Sequence, residues 1–563
     1  MGLSYQGLIE LLDKSSSTDG QVIFADPREQ VVRFSEIWKM AHQAGFIMGQ
    51  DHREGTTVAG ILRPNLACIV TLFGAWLAGV RFASLPDRAR GMTEAEHAEQ
   101  IDSILELVGG EFVYESYPGE IGNLSRGVLA PYQGILDKIG ESTQMTSGGN
   151  AGILIQFTSG STSSPKGVVI GMDEIGWNVS SMSEAFCFRP GDTSSSWLPL
   201  SHDMGLIGTF LLPCVSMTAS MGGISKVWLI TPESFVRDPL GWLRVDQGAS
   251  ASFSMIPNFA LDLIARKLKN ATGLNLSNFR NLIVSAETVR ASTLGKFSYL
   301  AREFGFNELA FQPAYGMAET TLGATTVRGD ELWSSVVLER EAYSEGKLNV
   351  VSKHIGTQDS HLNLTGEFLA SFEEVVCLGR PFPGFEMKID TQASDDLGRV
   401  SLKSGSIAQE LVGTKSLELQ DGFYQTEDLG FCVDNELYFA GRCDDWMVIR
   451  GRNLDARAIE LASSRSPAVR DGNCVVVPDE SGTYAVVAEP AVTVASSEPI
   501  SRDQIDEIIN YALGVSGITP SRIVIVDRGS LPKTPSGKIQ RRKVSVMLDN
   551  LEGKIAQFWT KEK

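Results

Sequence analysis

The sequence predicts an α/β protein: a large N-terminal body of several α/β subdomains and a small C-terminal α+β domain. Three observations predict it. Short apolar runs alternate with helical stretches in the order strand, helix, strand. Residue composition shifts near position 440. The chain is 563 residues long and 43% hydrophobic, enough to bury a large core without disulfides or a structural metal.

The elements follow in order. Thr57 to Leu62 is a short apolar run after a glycine turn and reads as a buried strand. Asn65 to Leu77 reads as a helix. Phe82 to Leu85 ends at Pro86, as a strand would. The alternation recurs with a strand in Ser250 to Ile256, a helix over Asn258 to Lys269 and a strand at Asn281 to Val284. Beyond the shift, Asn473 to Val477 and Tyr484 to Ala488 read as short strands. Arg502 to Leu513 reads as a helix with Ile505, Ile508, Ile509 and Ala512 on one face. The boundary falls near Gly441 to Asp445. No internal repeat of 20–50 residues is present.

Composition narrows the function. The net charge is −19, which argues against a general nucleic-acid binder and against an anionic membrane surface. Ten basic and four acidic residues lie between Pro520 and Lys563, a local +6 on a body of −25. Seven cysteines with no C-x-x-C pair suit reduced thiols in the cytoplasm, and the histidines form no zinc pattern. The N-terminus lacks the basic start and apolar core of a signal peptide. Leu66 to Val80 is fifteen residues, short of the ~20 a membrane span needs. Met204 to Ser225 is long enough but holds Pro213 and four glycines, so it reads as a buried helix or cleft wall rather than a span.

The most informative segment is Ile153 to Ile170, ILIQFTSGSTSSPKGVVI. Thr158, Ser159, Gly160, Ser161 and Thr162 are small and hydroxyl-rich, so backbone N–H groups can approach an anion, and Lys166 adds charge. This composition makes a phosphate cradle. It is not a Walker A loop, because Lys166 precedes Gly167 and the spacing differs.

With five further motifs in order, this segment resembles the adenylate-forming superfamily of acyl-CoA synthetases, luciferases and adenylation domains. Those motifs are WLPLSHDMGLIG at 197–208, YGMAETT at 315–321, YQTEDLG at 424–430, GRCDDWMVIRG at 441–451 and PKTPSGK at 532–538. Within the superfamily the chain is most similar to fatty acyl-AMP ligases. The second motif has their form, Ile256 to Ala260 resembles their APNFA segment, and Leu338 to Val350 looks like their insertion, unless it is a variable surface loop.

The resemblance implies a ligase that uses ATP and Mg²⁺. It implies an AMP-binding body at 1–440, a hinge at 441–446 and a mobile lid at 447–563. Lys538 would be the catalytic lysine at the α-phosphate, where charge builds as pyrophosphate leaves. Glu319 would hold Mg²⁺. Tyr315 would stack on adenine, with Gly316, Met317 and Thr320 in the same motif. Asp428 would accept from the ribose hydroxyls, Arg442 would add a ribose or phosphate contact, and His202 would border the carboxylate pocket. Asp444 would be the hinge. Each has an ordinary alternative: a solvated lysine for Lys538, a helix-surface glutamate for Glu319, a core tyrosine for Tyr315. Asp428 and Arg442 could form a domain-boundary ion pair, His202 could be structural, and Asp444 could be a solvated neighbour of Asp445.

Three departures from the family pattern stand out. Ser285, Ala286, Glu287 and Thr288 replace a Gly-Ala-Glu-Pro run beside adenine and the acyl pocket, so Ser285 would narrow that pocket. Glu427 replaces a glycine beside Asp428, and the histidine expected after the phosphate loop is missing. The expected reaction is activation of a fatty or related carboxylic acid to acyl-AMP, then transfer to a separate acyl carrier protein. Two alternatives remain, an acyl-CoA synthetase using coenzyme A and a non-catalytic nucleotide-binding scaffold. Lys533, Lys538, Arg541, Arg542 and Lys543 are expected to face phosphate, and some of them an acidic carrier.

Overall fold

A computed structural model describes residues 6–560 except 27, 89–91, 141–143, 147–150, 159–165, 246–249, 345, 357–370, 392–395, 414–415, 450–451, 480, 492–499, 534–538 and 550–554. The phosphate-loop residues Ser159, Gly160, Ser161 and Thr162 and the candidate catalytic Lys538 lie outside the described residues.

Two sheets frame the body. One has seven strands, and five of them run parallel in the order Ile153–Thr158, Arg81–Ser84, Thr57–Gly60, Phe112–Glu115 and Val128–Pro131. The other has nine, with a parallel centre in the order Phe311–Gly316, Asn281–Ser285, Phe253–Pro257, Thr193–Ser196, Lys226–Leu229 and Gln21–Phe24. From Thr193–Ser196 the chain passes to one side, then crosses back to build the other. The crevice at the carboxyl ends of Thr193–Ser196 and Phe253–Pro257 is therefore a topological switch point, where open α/β sheets bind ligands.

The apolar run expected to be buried is the helix Leu66–Leu77. Every residue from Ala67 to Leu77 is buried, and Asn65 caps it by accepting from the Cys68 amide at 2.9 Å. It packs on the helix Phe34–Asp51 so closely that a Cβ on Gly74 would stand 2.6 Å from the Ala44 Cβ. The second long apolar run forms a π-helix, Met204–Leu211, continued by the α-helix Leu212–Val215. Asp203 starts it by accepting from the Met204 amide at 2.6 Å, and Pro213 follows in the next turn. All eight π-helical residues are buried, as a cleft wall requires. Among the described residues no helix is long and apolar enough to cross a membrane.

A three-stranded antiparallel sheet, Val350–Ile355, Ser334–Glu339 and Phe372–Val376, holds the segment Leu338 to Val350. Its connecting helix Arg340–Ser344 turns Tyr343 inward. Beyond the short helical turn Cys443–Asp445 the chain builds a separate core, which includes Met447, Ile459, Val476, Val486, Ile508 and Ile523. The helix expected at Arg502 to Leu513 spans Arg502–Ser516, and its four apolar residues are buried as the periodicity requires.

Candidate active site

The strand Phe311–Gly316 delivers Tyr315 to its carboxyl end, and a tight turn follows. A Cβ on Gly316 would overlap the Leu322 carbonyl oxygen, so only glycine lets this turn close. The Thr320 hydroxyl is satisfied inside the turn, donating to Met317 O at 2.9 Å. Thr321 takes φ +70°, a strained value for a β-branched residue, and ties its hydroxyl to Ser406 O at 2.7 Å. Strain of this kind is held where the surroundings over-determine a functional turn.

Above the turn, Tyr315 donates its hydroxyl to Asp428 Oδ2 at 2.8 Å, and the Arg442 guanidinium meets Asp428 Oδ1 at 3.3 Å. Asp428 and Arg442 face each other across paired strands, Phe423–Val433 and Glu436–Arg442. Burial and the Asp428 carboxylate push the Tyr315 hydroxyl well above its usual range. Burial also raises the half-buried Glu319 carboxyl. Asp428 adds to that rise, while the backbone amide of Glu319, Arg442 and Lys166 pull it down. Tyr315, Glu319, Asp428 and Arg442 thus form one electrostatic unit; Met317 leads into the short helical turn Ala318–Thr320 that carries Glu319, and Lys166, on the strand Lys166–Gly171, acts on the Glu319 carboxyl. Thr158 ends the facing strand and pairs with Lys166.

His202 lies on the connection between Thr193–Ser196 and the π-helix. Its Nδ1 meets Asp203 Oδ1 at 2.6 Å, and the ring is about half exposed. A buried ion cluster supports this loop. Arg63 pairs with Asp87 at 2.5 Å and Glu120 at 2.8 Å, and Ser201 donates to Asp87 at 3.2 Å. Gln156 donates to Ser201 O at 2.7 Å. Sequence reading missed this cluster, because Arg63, Asp87 and Glu120 come from three loops and form no motif.

The segment Ser285 to Thr288 leaves the carboxyl end of the strand Asn281–Ser285. Ser285 donates to Ala314 O at 2.9 Å, which turns its side chain along the sheet. Ala286 has φ +68°, and Glu287 accepts from the Phe259 amide at the start of the helix Asn258–Leu268, where the helix dipole favours a carboxylate. Thr288 accepts from Arg457 of the C-terminal region at 2.8 Å.

Arg457 ties the two parts of the chain together. It also donates to Ala440 O at 3.2 Å, lies over the Phe439 ring at 5.4 Å and meets Asp445 at 3.3 Å. Asp444 pairs with Arg542 at 3.0 Å. Arg541 corrects the expectation drawn from the basic tail. It points inward, pairing with Glu460 and with Asp445 at 3.0 Å, and is largely covered rather than offered to phosphate or to a carrier. Two acidic residues and the Val476 carbonyl out-compete solvent for a single guanidinium.

Comparison with known proteins places the chain in a family. Residues 15–343 match the family model described as AMP-binding enzyme. A relative from Moorena producens (strain JHB), the medium-chain-fatty-acid–[acyl-carrier-protein] ligase JamA, is 30% identical over 72% of this chain and 68% of its own. The long-chain-fatty-acid–AMP ligase FadD32 of Mycolicibacterium smegmatis is 27% identical over 69% of this chain and 67% of its own. A solved structure from a study of fatty acyl-adenylate ligases of E. coli and L. pneumophila shares the fold with a TM-score of 0.80, at 22% identity over 97% of this chain and 98% of that one. The chain belongs to the AMP-binding enzyme family.

Proposed function

We propose that the chain is a ligase that uses ATP to activate a fatty or related carboxylic acid and passes the acyl group to a separate acyl carrier protein. The observation that carries this reading is the unit of Tyr315, Glu319, Asp428 and Arg442 at the carboxyl end of a parallel sheet, in a chain of this family. In the first half-reaction a carboxylate oxygen attacks the α-phosphorus of ATP. The bond to the β-phosphate oxygen breaks, and pyrophosphate leaves. In the second, the phosphopantetheine sulfur attacks the acyl carbonyl, the thiol proton is lost and AMP leaves.

The residues divide the work. Tyr315 offers a ring face for adenine while its hydroxyl holds Asp428 in place for the ribose hydroxyls. Arg442 pairs with Asp428 and adds a cation beside the phosphates. Residues 158–166, with Lys166 at their end, would cradle the phosphates, and Lys538 would meet the transferring phosphoryl oxygens. The Ser285 to Glu287 segment and His202 would border the acid. Residues 1–440 would form the adenylation body, 441–446 the hinge with Asp444 and 447–563 the lid.

Glu319 fits a magnesium site. Its carboxyl is raised by burial and by Asp428, so a divalent cation would relieve it. Among the described residues no trio of His, Cys, Asp or Glu could hold a metal by itself, which suits an ion that takes most of its ligands from phosphates and water. Bound there, Mg²⁺ would supply charge neutralisation to the phosphates. All seven cysteines are free, which fits action in the cytoplasm.

The test is pyrophosphate release from ATP across a panel of carboxylic acids, with a carrier protein or coenzyme A added in separate arms. Lys538→Ala is expected to lower adenylation about 10²-fold or more, the scale of one lost transition-state contact. An unchanged rate would remove Lys538 from catalysis. No pyrophosphate release with any acid of the panel would favour a nucleotide-binding scaffold, and faster transfer to coenzyme A than to the carrier would make the chain an acyl-CoA synthetase.

A further inference from the structure

The wall behind the adenylation centre is closed in a particular way. Met255 stands two residues before the carboxyl end of the strand Phe253–Pro257 and is 3% exposed. The π-helix Met204–Leu211 lies across that face of the sheet. The two meet at Gly208, where a Cβ would overlap Met255 Sδ and stand 2.9 Å from Leu322 Cδ2. Leu322 directly follows the turn that carries Tyr315 and Glu319. Two flexible side-chain ends therefore meet over bare backbone, at the switch point where a ligand would enter.

The helix is not free to swing aside. Thr209 donates to Ser196 of the adjacent strand at 2.7 Å, next to the contact in question. The mouth of the same crevice is aromatic. Trp197 stacks on Phe235 at 3.8 Å, and Phe259, 53% exposed, meets Trp197 edge-on at 6.4 Å.

We infer that Met255, backed by Leu322, closes the acyl channel at Gly208, so that the acid taken is a short to medium straight-chain fatty acid and not a long one. This rests on the adenylation reading above. Two strand residues at ~3.3 Å each give ~7 Å of depth, room for about five or six methylenes and hence an acid of about six to eight carbons. Methionine suits the role, because it is unbranched and fills irregular gaps that a smaller residue would leave open.

The experiment follows pyrophosphate release by the full chain with straight-chain acids from four to sixteen carbons. For the unaltered protein kcat/KM should peak near six to eight carbons and fall at least about tenfold by fourteen, since a single misfitting methylene can cost that much. Met255→Ala and Leu322→Ala should each move the peak to longer acids by about two carbons or more, because both side chains fill the space over Gly208. Met255→Val keeps a strand-favouring side chain and should give a smaller shift of the same sign, should alanine unfold the strand. Efficient use of fourteen- or sixteen-carbon acids by the unaltered protein would overturn the inference, as would folded variants with an unmoved profile. Failure of the unaltered protein to adenylate any acid is a separate outcome, which would sink the adenylation reading itself.

Discussion

Arg541→Met tests how the C-terminal region is held to the turn Cys443–Asp445. Arg541 donates to Glu460, to the Val476 carbonyl and to Asp445, and its side chain is 16% exposed, with its two acidic partners at 17% and 18%. Removing the guanidinium leaves two largely buried carboxylates without their shared cation. Breaking one partner of such a pair costs about 3–5 kcal/mol. Glu460 keeps the Val476 amide at 2.7 Å and Asp445 keeps Arg457, so the low end, about 3 kcal/mol, is expected here. For a small domain at roughly 4 °C per kcal/mol, its unfolding transition should fall by about 12 °C.

Scanning calorimetry, with limited proteolysis to assign the transition, reads this shift. The penalty should shrink as pH falls. Burial pushes Asp445 up, but Arg457 and Arg541 outweigh it and hold its carboxyl below the usual range. A depressed carboxylate stabilises above its unfolded value of about 4, and that stabilisation is lost as pH falls through the folded value. The gap between the two proteins should therefore narrow below about pH 4. Adding Glu460→Gln to Arg541→Met should recover part of the loss, because one stranded charge is gone. A loss under about 1 kcal/mol for Arg541→Met would refute the buried network and return Arg541 to the solvated tail.

Other expectations concern the site and the thiols. Asp428→Asn weakens the charged hydrogen bond from Tyr315 and the pairing with Arg442, so the KM for ATP should rise about tenfold or more, read by initial rates across ATP concentration. Tyr343→Ala removes the edge-on contact with Trp446 at 5.6 Å between the Leu338 to Val350 segment and the strand Trp446–Ile449. If that segment disfavours coenzyme A, thioester formation with coenzyme A should rise, and an unchanged rate would count against the role. At pH 8 a thiol reagent should label the exposed Cys187 and Cys432 well before Cys68, whose thiol burial pushes up to about 12, or the equally buried Cys214, as mass spectrometry would show.

Much of the body was legible because local patterns and long-range packing agree. The run from Ala67 to Leu77 is apolar all round and is buried all round, and Ile505, Ile508, Ile509 and Ala512 face the core that their spacing requires. The π-helix was not legible beyond its burial, since its geometry depends on Asp203 at one end and on close packing at Gly205 and Gly208. For the site, short motifs marked Tyr315, Glu319, Asp428 and Arg442, and the fold brings all four together. Arg541 misled because charge counted along a chain does not say which way a side chain turns. The Arg63, Asp87 and Glu120 cluster escaped because only tertiary folding makes those residues neighbours.

The junction around Arg457 has a thermal consequence. Besides Tyr343 against Trp446 and the Phe439 ring under Arg457, it is built mainly from guanidinium groups, carboxylates, the Thr288 hydroxyl and the Ala440 carbonyl, with Asp445 and the pair of Asp444 with Arg542. Parting such a junction hydrates charges rather than oily surface, so its heat-capacity change is small. An equilibrium between joined and parted forms would then drift gently with temperature instead of bending sharply. Added salt, which screens the exposed pairs, would move it more readily than heat.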